Sequence, residues 1–495
     1  MSYTVTQEDL NILRQGKQTV YIRVELCGPS FKLLDTLEGV VLSDNFSVDS
    51  SAQQRREYRC DLTFISSSFD IGRDKKIWMD KRLRVYYGVH SLRTGEIHWY
   101  RIGTFAYVDV SYSFTQTERK ISLSCADLMS QYNGTLNGQL KGFGSSNSNS
   151  SLAAYGLRIP AGEDIRKSII ATLEDAQIDS YIVEDIQKEI PYDLEFDTGA
   201  TYGEVWEKIC GLYDTWEYFF DADGTFIWRT IPTCLDDPVS LSDHILQRLV
   251  ISENTSSSFS GIYNVTEVWG RVLELTKEDR YADSSTCSDN VYSISLEDYS
   301  SWDDIDNLTK IGVKICSENL DSPAFSINGL NSIPIVDGDG LALKAGVLKA
   351  ENIYVFRYRK TSTESPGKLF LLGQFQCYGR YEENSPSCPF SIPNLGYEIV
   401  KSEDCSGLSD DAACYNQAQY DTYKTTAMMD TISLEMQVIP WLEVNTKWEY
   451  TPQHSRQTGQ YIVKSFHWSV GTGTMNVTLY KFSEDFSFIY NRKKR

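Results

Sequence analysis

The sequence predicts a mainly β chain with an α+β insert, in which two like β-barrel domains at the N- and C-terminal ends flank a small α+β domain. Three observations carry this. Aromatic residues make up 13% of the chain and include 31 Tyr, an enrichment that favours strands and interfaces over helical bundles. Period-two alternation recurs towards both ends, while helical periodicity and a capping box are concentrated in a central stretch. A strand–turn–strand rhythm near the N-terminus also returns, without a gap, 356 residues later. A chain of 495 residues exceeds one ordinary domain and suggests roughly three or four.

The first barrel is placed at 1–141. LRVYYGV (83–89) puts Leu83, Val85, Tyr87 and Val89 on one face. FAYVDVSYSF (105–114) and KISLSCADL (120–128) follow, joined by a short polar turn. The Ser/Asn/Gly run GFGSSNSNSSL (142–152) reads as a linker. The α+β domain is placed at 152–253. In EDIRKSIIATLEDA (163–176), Ile165, Ile169, Leu173 and Ala176 form one helical stripe. TYGEVWEKICGLY (201–213) opens on a Thr-x-x-Glu capping box, Thr201 and Glu204, and buries Val205, Ile209 and Leu212. WEYFFDADGTFIWRTIP (216–232) is a hairpin turning at Asp223-Gly224. NTSSSFSG (254–261) reads as a second loose stretch.

The second barrel is assigned 262–274 and 430–490. The intervening 275–429 is an insertion of mixed strands with a short helix, irregular and acidic over about 275–325 and helical over 410–424 with Ser409 as N-cap. TISLEMQVIP (431–440) alternates cleanly, with Ile432, Leu434, Met436 and Val438 inward. PWLEVNTKWEYTP (440–452) then reads as a barrel strand: Pro440 ends the preceding ladder, Leu442 and Val444 point to the core, and Trp441 and Trp448 cover an outer or inter-subunit face. Trp441, Trp448, Tyr461 and Trp468 are the candidate subunit-contact residues.

The repeat lays GTFAYVDVSYSFTQTERKISLSC (103–125) over GQYIVKSFHWSVGTGTMNVTLYK (459–481). Gly103 meets Gly459, Ser113 meets Ser469 and Leu123 meets Leu479. Phe105 falls on Tyr461, Val110 on Phe466 and Tyr112 on Trp468. Two like domains per chain would let a trimer present six similar domains around one axis.

Charge and motif content remove several function classes. A formal net charge of −21 disfavours sequence-specific DNA binding, and the basic end Arg492–Arg495 reads as a solvated terminus. Eleven cysteines without a CxxC pair read as reduced, mostly buried thiols, and the nearest cluster, Cys388, Cys405 and Cys414, lacks the spacing and the His of a zinc site. His90, His98, His244, His454 and His467 form no metal motif. No GxSxG, Walker loop or GxGxxG occurs, and no carboxylate pair stands out. IVDGDG (335–340) reads as a Gly-rich turn rather than a calcium loop. No catalytic, metal or cofactor residue is therefore assigned. MSYTVTQEDL has no signal-peptide pattern, and no apolar run reaches the ~20 residues of a membrane span.

Two ends and the middle of the chain carry a resemblance. KIWMDKRLRVYYGVHSLRTGEIHWYRIGTFAYVDVSYSFTQTERKISLSCADLMSQYNG (76–134) resembles the first tube domain of tail hub proteins from long-tailed bacteriophages. ISLEMQVIPWLEVNTKWEYTP with GQYIVKSFHWSV and MNVTLYKF (432–482) is similar to their second tube domain. ATYGEVWEKICGLYDTWEYFFDADGTFIWRTIP (200–232) is similar to their middle domain. The resemblance implies a non-enzymatic homotrimer whose six barrels match a hexameric tube ring. It implies contact with a distal tail protein ring, a tape-measure protein and a spike or fibre tip, and transient passage of DNA without specific binding. An acidic lumen would suit that passage. The place implied is the virion tail, assembled in the host cytoplasm, with no membrane partner and no appended lytic domain. The competing readings are a tail-tip carbohydrate- or receptor-binding protein, using the Tyr-rich insertion, and a cell-wall glycosidase.

Overall fold

In the computed structural model, the two ends of the chain are hydrogen-bonded into one sheet. The structure describes residues 5–482 apart from 16–17, 38–40, 64–66, 118, 141–157, 186, 191–193, 198, 213–215, 231–238, 258, 273–279, 283–284, 297–298, 351, 361–365, 375, 409, 428–429 and 470–472. The expected linker at 142–152 and the Ser409 cap lie outside the described residues.

The N-terminal part holds α1 (Gln7–Arg14) and seven strands: β1 (Val20–Cys27), β2 (Leu33–Thr36), β3 (Val41–Asp49), β4 (Arg56–Thr63), β5 (Arg82–His90), β6 (Ile97–Phe114) and β7 (Arg119–Asp127). The α+β unit holds β8 (Arg158–Ile159), α2 (Ile165–Asp175), β9 (Tyr181–Val183), β10 (Leu194–Glu195), α3 (Tyr202–Cys210), β11 (Trp216–Phe220) and β12 (Phe226–Thr230). Its expected features are present. The capping box of Thr201 and Glu204 opens α3, Ile165, Ile169 and Leu173 are buried, and Gly224 turns the hairpin at φ 83°. Trp206 and Trp228 complete its core.

The chain then runs through α4 (Asp243–Leu249) and β13 (Val250–Ser257). The first half of the Ser-rich stretch expected to be loose, Asn254–Ser257, is strand, because it pairs with β25 (Asp430–Gln437). The sheet then supplies the backbone partners that the polar side chains do not signal. β14 (Val265–Val272), expected in the second barrel, instead pairs with β23 (Gln376–Glu382) and β24 (Val400–Asp404) in a separate sheet. A 17-residue helix, α5 (Asp411–Ala427), close to the helix expected over 410–424, packs on that sheet. Residues expected to be irregular carry β15 (Arg280–Ala282), β16 (Thr286–Ser288), β17 (Val291–Ile294), β18 (Lys310–Lys314) and β19 (Ala324–Ile327). With β20 (Ile333–Val336), β21 (Ile353–Arg359) and β22 (Lys368–Gly373) they form an eight-stranded sheet with its own apolar core. Runs this short leave little periodicity to read, and their pairing partners are remote in sequence.

The last strands are β26 (Lys447–Tyr450), β27 (Gly459–Trp468) and β28 (Thr474–Phe482). PWLEVNTKWEYTP is a strand only over Lys447–Tyr450, because the chain turns through Asn445 at φ 55° just before it.

The repeat is visible in the topology. Strands β3-β4-β7-β6-β5 neighbour one another in that order, and β13-β25-β28-β27-β26 do the same. Their irregularities coincide. The β6–β7 ladder slips between Tyr107 and Asp109, and the β27–β28 ladder between Val463 and Ser465, so the extra residues are Val108 and Lys464, 356 apart. The β3–β4 ladder slips between Val41 and Ser43, and the β13–β25 ladder between Val250 and Ser252, leaving Leu42 and Ile251 as bulge residues. A bulge re-aims a strand and is a built feature, so two matched bulges establish the equivalence better than side-chain identities. The gap-free alignment holds along β6 and β27 but not on the returning strand. Tyr112 faces Ile121, whereas Trp468 faces Met475. The second hairpin is two residues shorter, and the counterpart of Leu123 is Val477, not Leu479.

Gly103 and Gly459 serve the same purpose in both copies. A Cβ at Gly103 would lie 2.2 Å from the Phe105 ring, and one at Gly459 would lie 3.2 Å from the Tyr461 ring. Residues two apart share a strand face, so each glycine makes room for the aromatic that follows it.

Candidate functional site

The paired repeats present two different faces. On β4, Tyr58, Cys60 and Leu62 are buried while Glu57, Arg59 and Asp61 alternate with them. The inward set joins one apolar core that runs through both repeats, from Phe46 and Tyr87 to Trp448 and Leu479. The outward set is small and polar: Ser43, Asn45 and Ser47 on β3, Ser122 and Ser124 on β7, Asp109 and Ser111 on β6, Thr431 and Ser433 on β25, Asn476 and Thr478 on β28. Part of this face forms an open groove lined by Ser43, Arg59, Asp61, Asp109, Ser111 and Ser122. Asp61 organises it, accepting from Ser43 Oγ at 2.9 Å, Ser122 Oγ at 2.6 Å and Lys120 Nζ at 2.9 Å. Partial burial raises its pKa, but the bonds from Ser122, Lys120 and Ser43 outweigh this and leave the carboxyl below its ordinary value.

The two repeats meet at a seam. β27 divides its pairing: Gly459–Ile462 lie on β26, and Ser465–Trp468 lie on β3. Across the seam Ser465 faces Asp49, Phe466 faces Val48, His467 faces Ser47 and Trp468 faces Phe46. On the core side the Phe46 and Trp468 rings meet edge to face, centroids 4.7 Å apart, with Phe466 stacked on Trp468 at 5.6 Å.

Two consecutive arginines, Arg55 just before β4 and Arg56 at its start, tie the units together. Arg55 Nη1 lies 2.8 Å from Glu217 Oε2 as an ion pair, both side chains almost fully enclosed. Arg229 Nε donates to the other oxygen of Glu217 at 2.6 Å, and Asn445 Nδ2 also donates to Glu217. Burial drives the Glu217 pKa up, but Arg55, Arg229 and Asn445 overcome it and the carboxyl titrates below its ordinary range. Arg56 binds Glu443 of the C-terminal repeat and donates to the Ile102 carbonyl at 3.0 Å. Its backbone N–H donates to Asp127 at 2.9 Å; burial raises that carboxyl to about 6 despite the Arg56 and Met129 N–H donors. One carboxylate, Glu217 on β11, thus joins the N-terminal repeat, the α+β unit and the C-terminal repeat.

Three of the four residues expected at a subunit contact are enclosed within the chain, and Trp441 is not. Trp448, Tyr461 and Trp468 are 0%, 3% and 2% exposed, so they are enclosed by their own chain and present no free face. Trp448 lies seven residues from Trp441 but an even number from Leu442 and Val444, so period-two alternation carries it into the core with them, where its backbone bridges Leu241. Trp441 is half-buried, packs against Tyr100 with centroids 5.4 Å apart, and lines a cleft with Arg56, Trp99 and Glu443. Sequence reasoning missed β3, β13 and the Arg55-Arg56 pair. A signal for the strands was present: VLSDNFS (41–47) lies over VISENTS (250–256) with four identities and two conservative pairs. Asp337 is a turn residue, its Oδ1 accepting the N–H groups of Asp339 and Leu341 at 3.0 and 2.8 Å. Among the described residues no cluster of His, Cys, Asp or Glu could hold a metal ion, and no helix is long and apolar enough to cross a membrane.

The architecture matches a solved one. The 43 kDa tail protein of prophage MuSo2 from Shewanella oneidensis superposes with a TM-score of 0.50 at 10% identity, covering 93% of this chain and 98% of that one. The fold is that of a phage tail protein. The tail protein from Neisseria meningitidis MC58 gives a TM-score of 0.49 at 8% identity, with 93% and 96% covered. Prophage tail protein gp18 from Listeria monocytogenes EGD-e gives 0.43 at 7% identity, with 96% and 98% covered. Residues 387–486 match the family described as Domain of unknown function (DUF5048). No curated protein matches. The tail-protein fold spans the ends and middle from which the resemblance arose, and also the insertion between them.

Proposed function

We propose that this chain is a structural hub of a phage or phage-like tail. Three copies contribute six like repeats to a ring that adapts a sixfold tube to a threefold tip. The observation that carries this is the edge-to-edge pairing of two topologically equivalent five-strand units, β3-β4-β7-β6-β5 and β13-β25-β28-β27-β26, within one sheet. An apolar core lies on one side of that sheet, and on the other a polar face rich in Ser, Thr and Asn with scattered charges. Such a face suits the wall of a channel through which DNA slides, since it offers few cations to hold phosphate. It is weakly rather than strongly acidic: Glu57, Asp61, Asp109 and Glu435 stand beside Arg59 and Lys120. The partners of this reading are a distal tail protein ring, a tape-measure protein and a spike or fibre tip, in the virion tail after assembly in the host cytoplasm. The role is structural, not enzymatic.

Light scattering on the purified protein tests the ring. A particle of three 56.4 kDa chains supports it, and a monomer at all concentrations counts against it.

A further inference from the structure

The seam inside the chain specifies where a second copy binds. β27 uses its first half to hold β26 and its second half to hold β3. Its counterpart β6 uses Ile97–Ala106 to hold β5. Beyond that, Tyr107–Phe114 continues with β7 along one edge, and no described strand lies along the other. Phe114 is 70% exposed there. The counterpart of β3 is β13, which ends the sheet: β25 lies along one edge, and no described strand lies along the other. Each chain therefore has one filled seam and the two separated halves of another.

We propose that β6 of one copy takes up β13 of a second copy in the register with which β27 takes up β3. The inference rests on the hub reading only for the number of copies. The register follows from the matched bulges. Asp109 and Ser465 each follow a bulge, so Ser111 corresponds to His467 and Tyr112 to Trp468. Phe46 faces Tyr58 and Thr255 faces Ile432, which makes Thr255 the counterpart of Phe46 and Ser256 that of Ser47. Since His467 faces Ser47 and Trp468 faces Phe46, Ser111 of one copy faces Ser256 of the next, and Tyr112 faces Thr255. The occupant is a second copy because β13 repeats the β3 sequence, VISENTS against VLSDNFS, and repeats its bulge and its pairing offsets. An unpaired strand end is an invitation to pairing that proteins cover, and here the cover is encoded in the same chain. The contact is head to tail, so copies add in one direction and close into a ring when the rotation allows. Where the internal contact sets Trp468 against Phe46, the external one sets Tyr112 against Thr255, a more polar joint.

The test is disulfide trapping in the full-length protein. Ser111 and Ser256 are both exposed on the polar face, and directly opposed strand residues fall within disulfide reach. The double variant Ser111→Cys/Ser256→Cys should, on mild oxidation, give linked dimers and a covalently closed species of three chains. Neither single variant should give that series, and Ser111→Cys/Asn254→Cys, two residues out of register, should give several-fold less. A trimer by light scattering without cross-linking overturns this interface and leaves the hub reading standing. Cross-linked chains running well beyond three support the interface and overturn the threefold ring. A monomer without cross-links overturns both.

Discussion

The Phe46 and Trp468 rings meet edge to face, centroids 4.7 Å apart at 71°, where the N- and C-terminal repeats become one sheet. Both side chains are nearly fully buried. Each single substitution to Ala should cost about 3–5 kcal/mol of stability, as large aromatic deletions in a core do. A double-mutant cycle by denaturant unfolding should return a coupling of about 0.5–1.5 kcal/mol for the aromatic pair. Additive single effects would mean that the rings fill space without fixing the seam.

Gly103 should be the less replaceable of the two repeat glycines. An added Cβ would stand 2.2 Å from the Phe105 ring, against 3.2 Å from the Tyr461 ring at Gly459. Gly103→Ala must displace a fully buried ring, so a loss of about 1–3 kcal/mol is expected. Gly459→Ala needs only a small shift and should cost well under half of that. Thermal unfolding of both variants checks the order; equal losses would contradict the close-approach account.

Glu217→Gln leaves Arg55 and Arg229 without their buried counter-charge. Breaking one member of a buried pair costs about 3–5 kcal/mol. The folded-state pKa of Glu217 is depressed, so its contribution is present above the ordinary Glu value of about 4.3. It is lost as pH falls through the lowered value. The stability gap between the native protein and Glu217→Gln should therefore be full at neutral pH and shrink only on acidification below the ordinary carboxylate range. A gap that closes above pH 6 would be incompatible with a salt-bridged Glu217.

Trp448→Ala should destabilise the isolated chain by about 3–5 kcal/mol, because the ring is wholly enclosed. Trp441→Ala, at a half-buried ring on the wall of a cleft, should cost less in folding and more in association. Unfolding midpoints read beside particle mass separate the two effects. The reverse ranking would restore Trp448 to a surface role.

The alternating strands were legible because each shows one apolar face over several residues. Leu83, Val85, Tyr87 and Val89, and Ile432, Leu434, Met436 and Val438, are all buried as their spacing predicts. The α+β unit was legible through local chemistry, the Thr201–Glu204 capping box and the Asp223-Gly224 turn. β13 was not, because Glu253 and Thr255 stand on its core side where apolar residues would signal a strand, and its order comes from the backbone of β25. Grouping Trp448 with Trp441 fails on parity: the two are seven residues apart, and alternation sets Trp448 with the buried Leu442 and Val444. The ties through Arg55, Arg56, Glu217 and Glu443 join residues far apart in sequence, and no local pattern announces them. The repeat was visible in part: the offset of 356 residues marks β6 and β27, while the match of VLSDNFS to VISENTS carries the half of it that builds the seam.

The central claim is that one chain supplies two equivalent units of a closed ring. Electron microscopy of the purified particle, averaged without imposed symmetry, tests it most directly. The account predicts a ring of six similar lobes with threefold symmetry around an open centre. Isolated two-lobed particles, or rings whose lobe number is not six, would contradict it.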